Sequence, residues 1–148
     1  MFVWIESTSL ALWVSTSLWA YPFLLSLHIV GLAIVAGIFS LRDLHLIGLL
    51  RAFNPTKFFA LKGLAYLGFT INVISGFLLF TSQASILINN IPFLLKISFL
   101  SIAMTAAVFI HRRLALESNI TQLEIPAFIS LTCWLAAITA GRLIAYVF

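Results

Sequence analysis

The sequence carries very little charge for its length. Its 148 residues include eight lysines and arginines and four aspartates and glutamates, while 63% of the residues are hydrophobic and the mean hydropathy is +1.17. A soluble domain is roughly 25% charged, so this chain lacks the polar surface that a water-soluble globule needs. The same shortage excludes a disordered chain and a soluble nucleic-acid-binding protein, although the calculated pI is near 9.7. In a membrane protein, a few basic residues set the orientation instead.

Residues that carry common metal and catalytic chemistry are also scarce. Cys133 is the single cysteine, which excludes an intrachain disulfide and a CxxC motif. Copper handling is disfavoured, because soft metals need cysteine and methionine and the chain has two methionines. The sequence contains no P-loop, GxGxxG motif or visible nucleophile–base set. We therefore do not expect a stand-alone enzyme.

What the chain does have is four long apolar stretches. A helix needs about 20 apolar residues to cross a hydrocarbon core ~30 Å thick. The stretches predict spans at about residues 21–41, 58–80, 92–110 and 126–147. A tryptophan-rich segment at about 4–18 is predicted to form a helix in the membrane interface, where tryptophan is favoured. The predicted fold is an all-α integral membrane protein, a single-domain four-transmembrane-helix bundle with an N-terminal interfacial helix.

Basic residues gather between the first and second spans and between the third and fourth. They are Arg42, Arg51, Lys57 and Lys62 in the first connection and Arg112 and Arg113 in the second. The positive-inside rule then predicts that both connections face the cytoplasm and that both ends of the chain lie outside. At the cytoplasmic rim, the residues predicted to be solvated and to serve structure or orientation are Arg42, Asp43, Arg112 and Arg113. Because all four acidic residues lie outside the predicted spans, proton pumping through intramembrane carboxylates is not expected.

One level of the predicted bundle concentrates polar side chains. Counting ~1.5 Å per residue from the span ends places four of them within about one helical turn of the same height, in the outer third of the membrane. They are His28, Asn72, Lys96 and Arg142. Ionisable residues inside a span indicate function by default, and two cations with a histidine favour an anion, a carbonyl or the negative edge of a cofactor. Gly31, one turn from His28, is predicted to leave space for a flat group.

Plainer interpretations of this level remain open. Lys96 and Arg142 lie close enough to the membrane surface to reach lipid headgroups by snorkelling. For His28 the alternative is a histidine that is only hydrogen-bonded within the bundle. Small residues form a stripe on each span and are expected, by default, to serve helix packing alone. On the third span they are Ala103 and Ala107, together with Ser98, Ser101 and Thr105.

The histidines are the candidate metal ligands. A b-type haem in a bundle usually has two axial histidines at one level, but His28 and His111 differ in depth by ~15–20 Å and would belong to separate sites. His28 alone could ligate a haem whose propionates meet Lys96 and Arg142. His45 and His111 lie at similar depth and could share a metal or haem. A quinone is the alternative cofactor, with carbonyls bound by three residues: His28, Asn72 and Arg142.

Short motifs are spread over nearly the whole chain. They are Tyr21-Pro22, Leu27–Gly31, Asp43–Gly48, Phe93–Lys96, Phe109–His111 and Gly141–Tyr146. In order and spacing they resemble motifs of uncharacterised bacterial four-span inner-membrane proteins, which look distantly similar to CopD-like and b-type cytochrome-like bundles. The resemblance implies functional positions at His28, Asp43, Lys96, His111 and Arg142. The chain departs from that pattern at Leu25, where such proteins often have an acid, and at His45, where they often have arginine.

Three functional hypotheses follow. The leading one is a small inner-membrane protein that binds a cofactor or an anionic ligand in the outer third of the bundle, most concretely a haem b or quinone electron-transfer module. The second is a non-enzymatic subunit or scaffold of a larger membrane complex. Besides the lipid bilayer, the expected partners are further copies of the chain in a homo-oligomer or the other subunits of such a complex. The third, a component of a small-anion transporter, is less favoured because no broken span or inverted repeat is visible.

Overall fold

The computed structural model describes residues 2–52, 54–116 and 119–147, and the regular elements in these ranges are helices. They are α1 (Val3–Glu6), α2 (Ser9–Thr16), α3 (Ala20–Leu46), α4 (Pro55–Ala60), α5 (Lys62–Ser82), α6 (Ala84–Leu87), α7 (Ile91–Ala115), a 3-10 helix (Ile120–Leu123) and α8 (Glu124–Leu143). Within the described ranges, four helices are long and apolar enough to cross a bilayer: α3, α5, α7 and α8 with the preceding turn. The predicted fold class is confirmed, and the chain is a four-span helical membrane protein.

The N-terminal segment contains two short helices where the sequence predicted one at about 4–18. Thr8 separates them, because its hydroxyl donates to the Ile5 carbonyl (2.7 Å) and accepts from the Ala11 N–H (3.4 Å) at the start of α2. Ser17 acts in the same way before α3, where its hydroxyl accepts from the Ala20 N–H (3.3 Å). Each hydroxyl accepts from a backbone N–H at the start of the next helix. A new helix therefore begins after Thr8 and after Ser17, and the segment is divided at these two residues.

The first span continues past its predicted end at residue 41. Helix α3 runs to Leu46 and is followed by Gly48, whose φ of 87° is a left-handed conformation that glycine adopts readily. The ring of His45 stabilises this turn, since its Nδ1 lies 2.9 Å from the Leu50 carbonyl oxygen, which can only accept. The charged residues near the end of α3 are therefore part of the helix.

Two helices replace the single helix predicted to begin near residue 58. Helix α4 ends at Ala60 and α5 begins at Lys62. Phe58 is 4% exposed and contacts the ring of Phe39, with centroids 6.0 Å apart. The apolar side chain of Phe58 thus packs inside the protein and does not extend the second span. The short connection between the second and third spans contains α6.

The third and fourth spans also differ from their predicted bounds. Helix α7 extends beyond residue 110 to Ala115, so that His111, Arg112 and Arg113 belong to its last turns. Basic side chains at a helix C-terminus interact favourably with the helix dipole, which supports this extension. Helix α8 ends at Leu143, before the predicted end at residue 147.

The chain divides into two compact units. The first contains the residues through Val35 and Gly63–Asn90, and the second contains Ala36–Lys62 and the chain from Ile91 onward. One boundary lies inside α3, so neither a linker nor a change of composition marks it in the sequence.

Helices α7 and α8 pack together within the second unit. The buried residues recur every three or four positions: Ala103, Ala107 and Ile110 on α7, and Ala127, Ser130, Trp134, Ala137 and Ala140 on α8. This confirms the small-residue stripe predicted at Ala103 and Ala107. A second expected packing stripe is wrong, because the side chains of Ser98, Ser101 and Thr105 are exposed. Each of these hydroxyls bonds to a carbonyl four residues earlier in α7 (2.8–2.9 Å) and needs no neighbouring helix.

Candidate functional site

His28 of α3 contacts α5 within the first unit. Its Nδ1 lies 3.1 Å from the Asn72 carbonyl oxygen and 3.3 Å from Ser75 Oγ. Asn72 Nδ2 in turn donates to the His28 carbonyl (2.8 Å). Because a carbonyl can only accept, Nδ1 carries the ring proton when it bonds to Asn72. The structure thus brings His28 and Asn72 together as a reciprocal link between two helices.

Glycines allow this close helix contact. A Cβ built at Gly31 would lie 2.8 Å from the Gly68 carbonyl oxygen and 2.9 Å from the Asn72 nitrogen. A Cβ at Gly76 would lie 2.8 Å from His28 Cε1. The backbone of α5 therefore fills the space beside Gly31 that was predicted to receive a flat group, and that prediction is wrong. The glycine serves the contact between helices, as small residues commonly do in membranes.

Arg42 and Asp43 of α3 are buried, so the prediction that they form a solvated rim is wrong. Their exposed fractions are 2% and 0%. Arg42 donates from Nε (2.9 Å) and Nη2 (2.6 Å) to one carboxylate oxygen, Asp43 Oδ1, and from Nη1 to the Ala107 carbonyl of α7 (3.2 Å). The guanidinium carbon lies 4.9 Å from the Phe39 ring centroid and 5.4 Å from that of Phe58, which adds cation–π attraction. Asp43 thus lies within the candidate span Ala20–Leu46, and Glu124 lies within the candidate span Thr121–Leu143, so the expected position of both acids outside the spans is corrected.

Three polar atoms near this ion pair have no hydrogen-bond partner within the structure. They are Asp43 Oδ2, Ser130 Oγ and Trp134 Nε1. Ser130 lies beside Asp43 but outside hydrogen-bond geometry, and Trp134 stacks on Phe39 with centroids 5.8 Å apart and 6° between the ring planes. Phe39 and Asp43 are one turn apart on α3, as are Ser130 and Trp134 on α8. The three residues therefore belong to one stretch of contact between these helices.

Sequence reasoning missed this buried centre, although a signal was present. Phe39, Asp43 and Leu46 are spaced by four and three residues, the spacing of one helix face. Leu46 is 3% exposed and belongs to a core cluster with Ile110 of α7. A buried face that continues to Leu46 necessarily includes the aspartate.

Lys96 and Arg142 lie together at one end of the α7–α8 pair. Lys96 is half-buried and its side chain runs along Gly141, where a built Cβ would lie 3.5 Å from Cδ, 3.6 Å from Cε and 3.7 Å from Nζ. Arg142 is the next residue and is exposed. The structure therefore places two cations at one level of a pair of apolar helices.

The carboxylates described in the second unit lie far from these cations. Asp43 is beside Ser130, which precedes Arg142 by twelve residues, or about 18 Å of helix. Glu124 is farther still, in the first turn of α8. Neither of these two carboxylates is therefore positioned to pair with Lys96 or Arg142.

The remaining histidines are held by contacts of other kinds. The ring of His45 bonds to the Leu50 carbonyl, and the ring of His111 lies 5.7 Å from that of Phe59 and 6.3 Å from that of Phe58. Among the residues that the structure describes, no group of three histidines, cysteines or acids is arranged to hold a metal ion. A metal bound by His28 or His111 stays a prediction.

The sequence-predicted residues thus fall into three groups. The histidine–asparagine link belongs to the first unit, while the buried ion pair and the two cations on α7 and α8 belong to the second. A common level for all of them stays a prediction. Comparison of the chain with protein families, with curated proteins and with solved structures finds no match.

Proposed function

We propose that this four-span membrane protein is a small binding subunit that holds an anionic group at Lys96 and Arg142. The observation that carries the proposal is the half-buried Lys96 side chain along Gly141, with a second cation on the next residue. Ionisable residues inside a span indicate a functional site by default. Two cations at one level attract an anion, with a bidentate contact from arginine and a compact charge from lysine.

The exposed basic residues support an orientation in a bacterial inner membrane. They are Arg51, Lys57, Lys62, Arg112 and Arg113. In the positive-inside orientation these side chains face the cytoplasm, and both ends of the chain are periplasmic. Lys96 and Arg113 are near opposite ends of α7, so the anion site then lies toward the outer side.

The redox form of this proposal takes a quinone or a haem b as the anionic or carbonyl-bearing ligand. The support for this form is the positive charge at Lys96 and Arg142. The space expected beside Gly31 no longer supports it, because the backbone of α5 fills that space. Purified protein should then show a Soret band or release a quinone on organic extraction. If neither is found, the redox form is excluded and anion binding is tested separately.

Native mass spectrometry of the purified protein tests anion binding directly. The probe is phosphatidylglycerol, compared with zwitterionic phosphatidylethanolamine at equal concentration. We expect Lys96→Met and Arg142→Gln each to weaken phosphatidylglycerol binding about tenfold, because a charge-assisted hydrogen bond contributes ~1.5–3 kcal/mol and 1.4 kcal/mol is a factor of ten.

Arg113→Gln is the matched control for these variants. It removes the same charge from an exposed arginine near the other end of α7, so binding at Lys96 and Arg142 should be unchanged. Equal phosphatidylglycerol binding by wild type, Arg142→Gln and Arg113→Gln would refute the proposed site.

A second candidate function, a scaffold subunit or homo-oligomer, is favoured by the exposed stripe of Ser98, Ser101 and Thr105 on α7. Small residues are enriched where membrane helices contact each other, and this stripe is not covered within the chain. Ser101→Leu should shift the protein toward monomer in native mass spectra, while Val108→Leu, at an exposed apolar position of α7, should not. A wild-type protein that is monomeric in bilayer nanodiscs contradicts this candidate.

A further inference from the structure

We propose that Asp43, Ser130 and Trp134 enclose a binding site for one internal water molecule between α3 and α8. The three residues are 0%, 0% and 1% exposed, and each has a buried polar atom without a protein partner. Buried polar atoms in proteins almost always have a hydrogen-bond partner. A buried water typically makes about three hydrogen bonds to such atoms, which is the number of atoms present here.

The chemistry of the three atoms selects a neutral guest. Asp43 Oδ2 accepts hydrogen bonds, the indole Nε1 of Trp134 can only donate, and the Ser130 hydroxyl can do both. The guest must therefore accept from the tryptophan and donate to the aspartate. A metal cation cannot accept a hydrogen bond and is repelled by the guanidinium of Arg42, while an anion is repelled by the carboxylate. An oxygen that both donates and accepts meets all three requirements.

The surroundings favour a small guest. Phe39 stacks on Trp134 at one turn of the contact, and Asp43 lies beside Ser130 at the next. Ala127, one turn before Ser130 and close to it on α8, is itself 0% exposed. Because the surrounding residues are almost completely buried, a guest that reaches these polar atoms must be small.

A bound water also completes the ion pair. Arg42 donates twice to Asp43 Oδ1, so Oδ2 needs a separate donor within the span. The water supplies it and joins α3 to α8 through Ser130. This water site shares no residue with the proposed anion site, so the two proposals can be tested independently.

Infrared spectroscopy of the purified protein in bilayers detects such a water. An isolated internal water gives an O–H stretching band that shifts when the sample is exchanged into water labelled with oxygen-18. We expect this band in the wild type, its loss in Ser130→Ala, and its retention in Ser101→Ala, a control on α7 whose hydroxyl already bonds to the Ile97 carbonyl. A wild-type spectrum without an isotope-sensitive band overturns the proposal.

Thermal unfolding of Ser130→Ala is an independent test, because the direction in which the unfolding midpoint shifts distinguishes a bound water from a dry site. If water bridges the three atoms, the alanine removes one of its partners and the unfolding midpoint falls. If the site is dry, the alanine removes an unpartnered buried hydroxyl and the midpoint rises or stays equal, which contradicts the proposal. If Ser130→Ala does not fold, the presence or absence of the infrared band in the wild type decides whether the proposal stands. The proposal is also overturned if the folded wild type releases an organic molecule and loses that band.

Discussion

Replacing Gly31 with alanine tests the close contact between α3 and α5. The new Cβ would lie 2.8 Å from the Gly68 carbonyl oxygen and 2.9 Å from the Asn72 nitrogen, whereas ordinary contacts begin at 3.4 Å. Both atoms belong to a helix backbone, so the helices must separate by about half an ångström. A gap of this size forfeits roughly a quarter or more of the dispersion energy at the contact.

The change in the free energy of unfolding that we expect for Gly31→Ala has three contributions. Overpacking of a tight contact costs ~1–3 kcal/mol, and strain on the 2.8 Å bond from Asn72 to the His28 carbonyl adds about 0.6 kcal/mol, the mean for interhelical bonds in a membrane. The better helix propensity of alanine offsets ~0.5–1 kcal/mol. We therefore expect Gly31→Ala to lower the free energy of unfolding by about 2 kcal/mol.

Gly37→Ala is the matched control on the same helix. Gly37 is exposed and a Cβ there meets nothing within 4 Å, so the substitution should be neutral or stabilising by up to ~1 kcal/mol. Both variants are measured by equilibrium unfolding in mixed micelles, followed by circular dichroism. Equal stability of the two would refute the tight contact and restore the space predicted beside Gly31.

Two further predictions concern charged groups. Arg42→Met should cost ~3–5 kcal/mol in unfolding experiments because it leaves the buried Asp43 carboxylate without its partner, while a double variant with Asp43→Leu should recover most of that loss; an additive double variant contradicts this coupling. Hydrogen bonds from the Ser85 hydroxyl (2.6 Å) and N–H (2.8 Å) lower the pKa of Glu6, so their stabilisation is complete above the ordinary glutamate pKa and is lost as the pH falls through the lowered value. The protection factors of the α6 amides against hydrogen exchange, which correct for the intrinsic pH dependence, should therefore fall on acidification in the wild type and not in Glu6→Gln. The same pH response of the protection factors in both proteins would argue against the contact between Glu6 and Ser85.

Part of the helix contact at His28 was predictable from its sequence. Gly68, Asn72 and Gly76 follow one another at four-residue intervals, which places two small residues and an amide on one face of α5. The role of Gly31 was not predictable, because the absence of a side chain is equally consistent with an open space and with a close backbone contact. The choice depended on which helix lies opposite.

The bounds of the helices show a similar limit. Hydropathy located the spans, but their ends depend on local groups, such as the hydroxyl of Thr8 and the left-handed Gly48. The end of the first connection depends on a distant contact, since Phe58 is buried against Phe39. Caps are short-range features that a sequence can show, whereas a buried aromatic requires its partner to be known.

The sequence by itself determined that this protein is a four-span helical membrane protein. The free energy of transferring a stretch of chain into lipid is the sum of the contributions of its residues, which the sequence supplies directly. The scarcity of charge also marked Lys96 and Arg142 as unusual within their spans. Only the tertiary structure decided that Arg42 and Asp43 are buried. Their environment is built by Phe39, one turn away, and by Phe58, Ala107 and Ser130 on other helices. Burial of a charge depends on which partners the fold brings to it, and no local property of the chain carries that information.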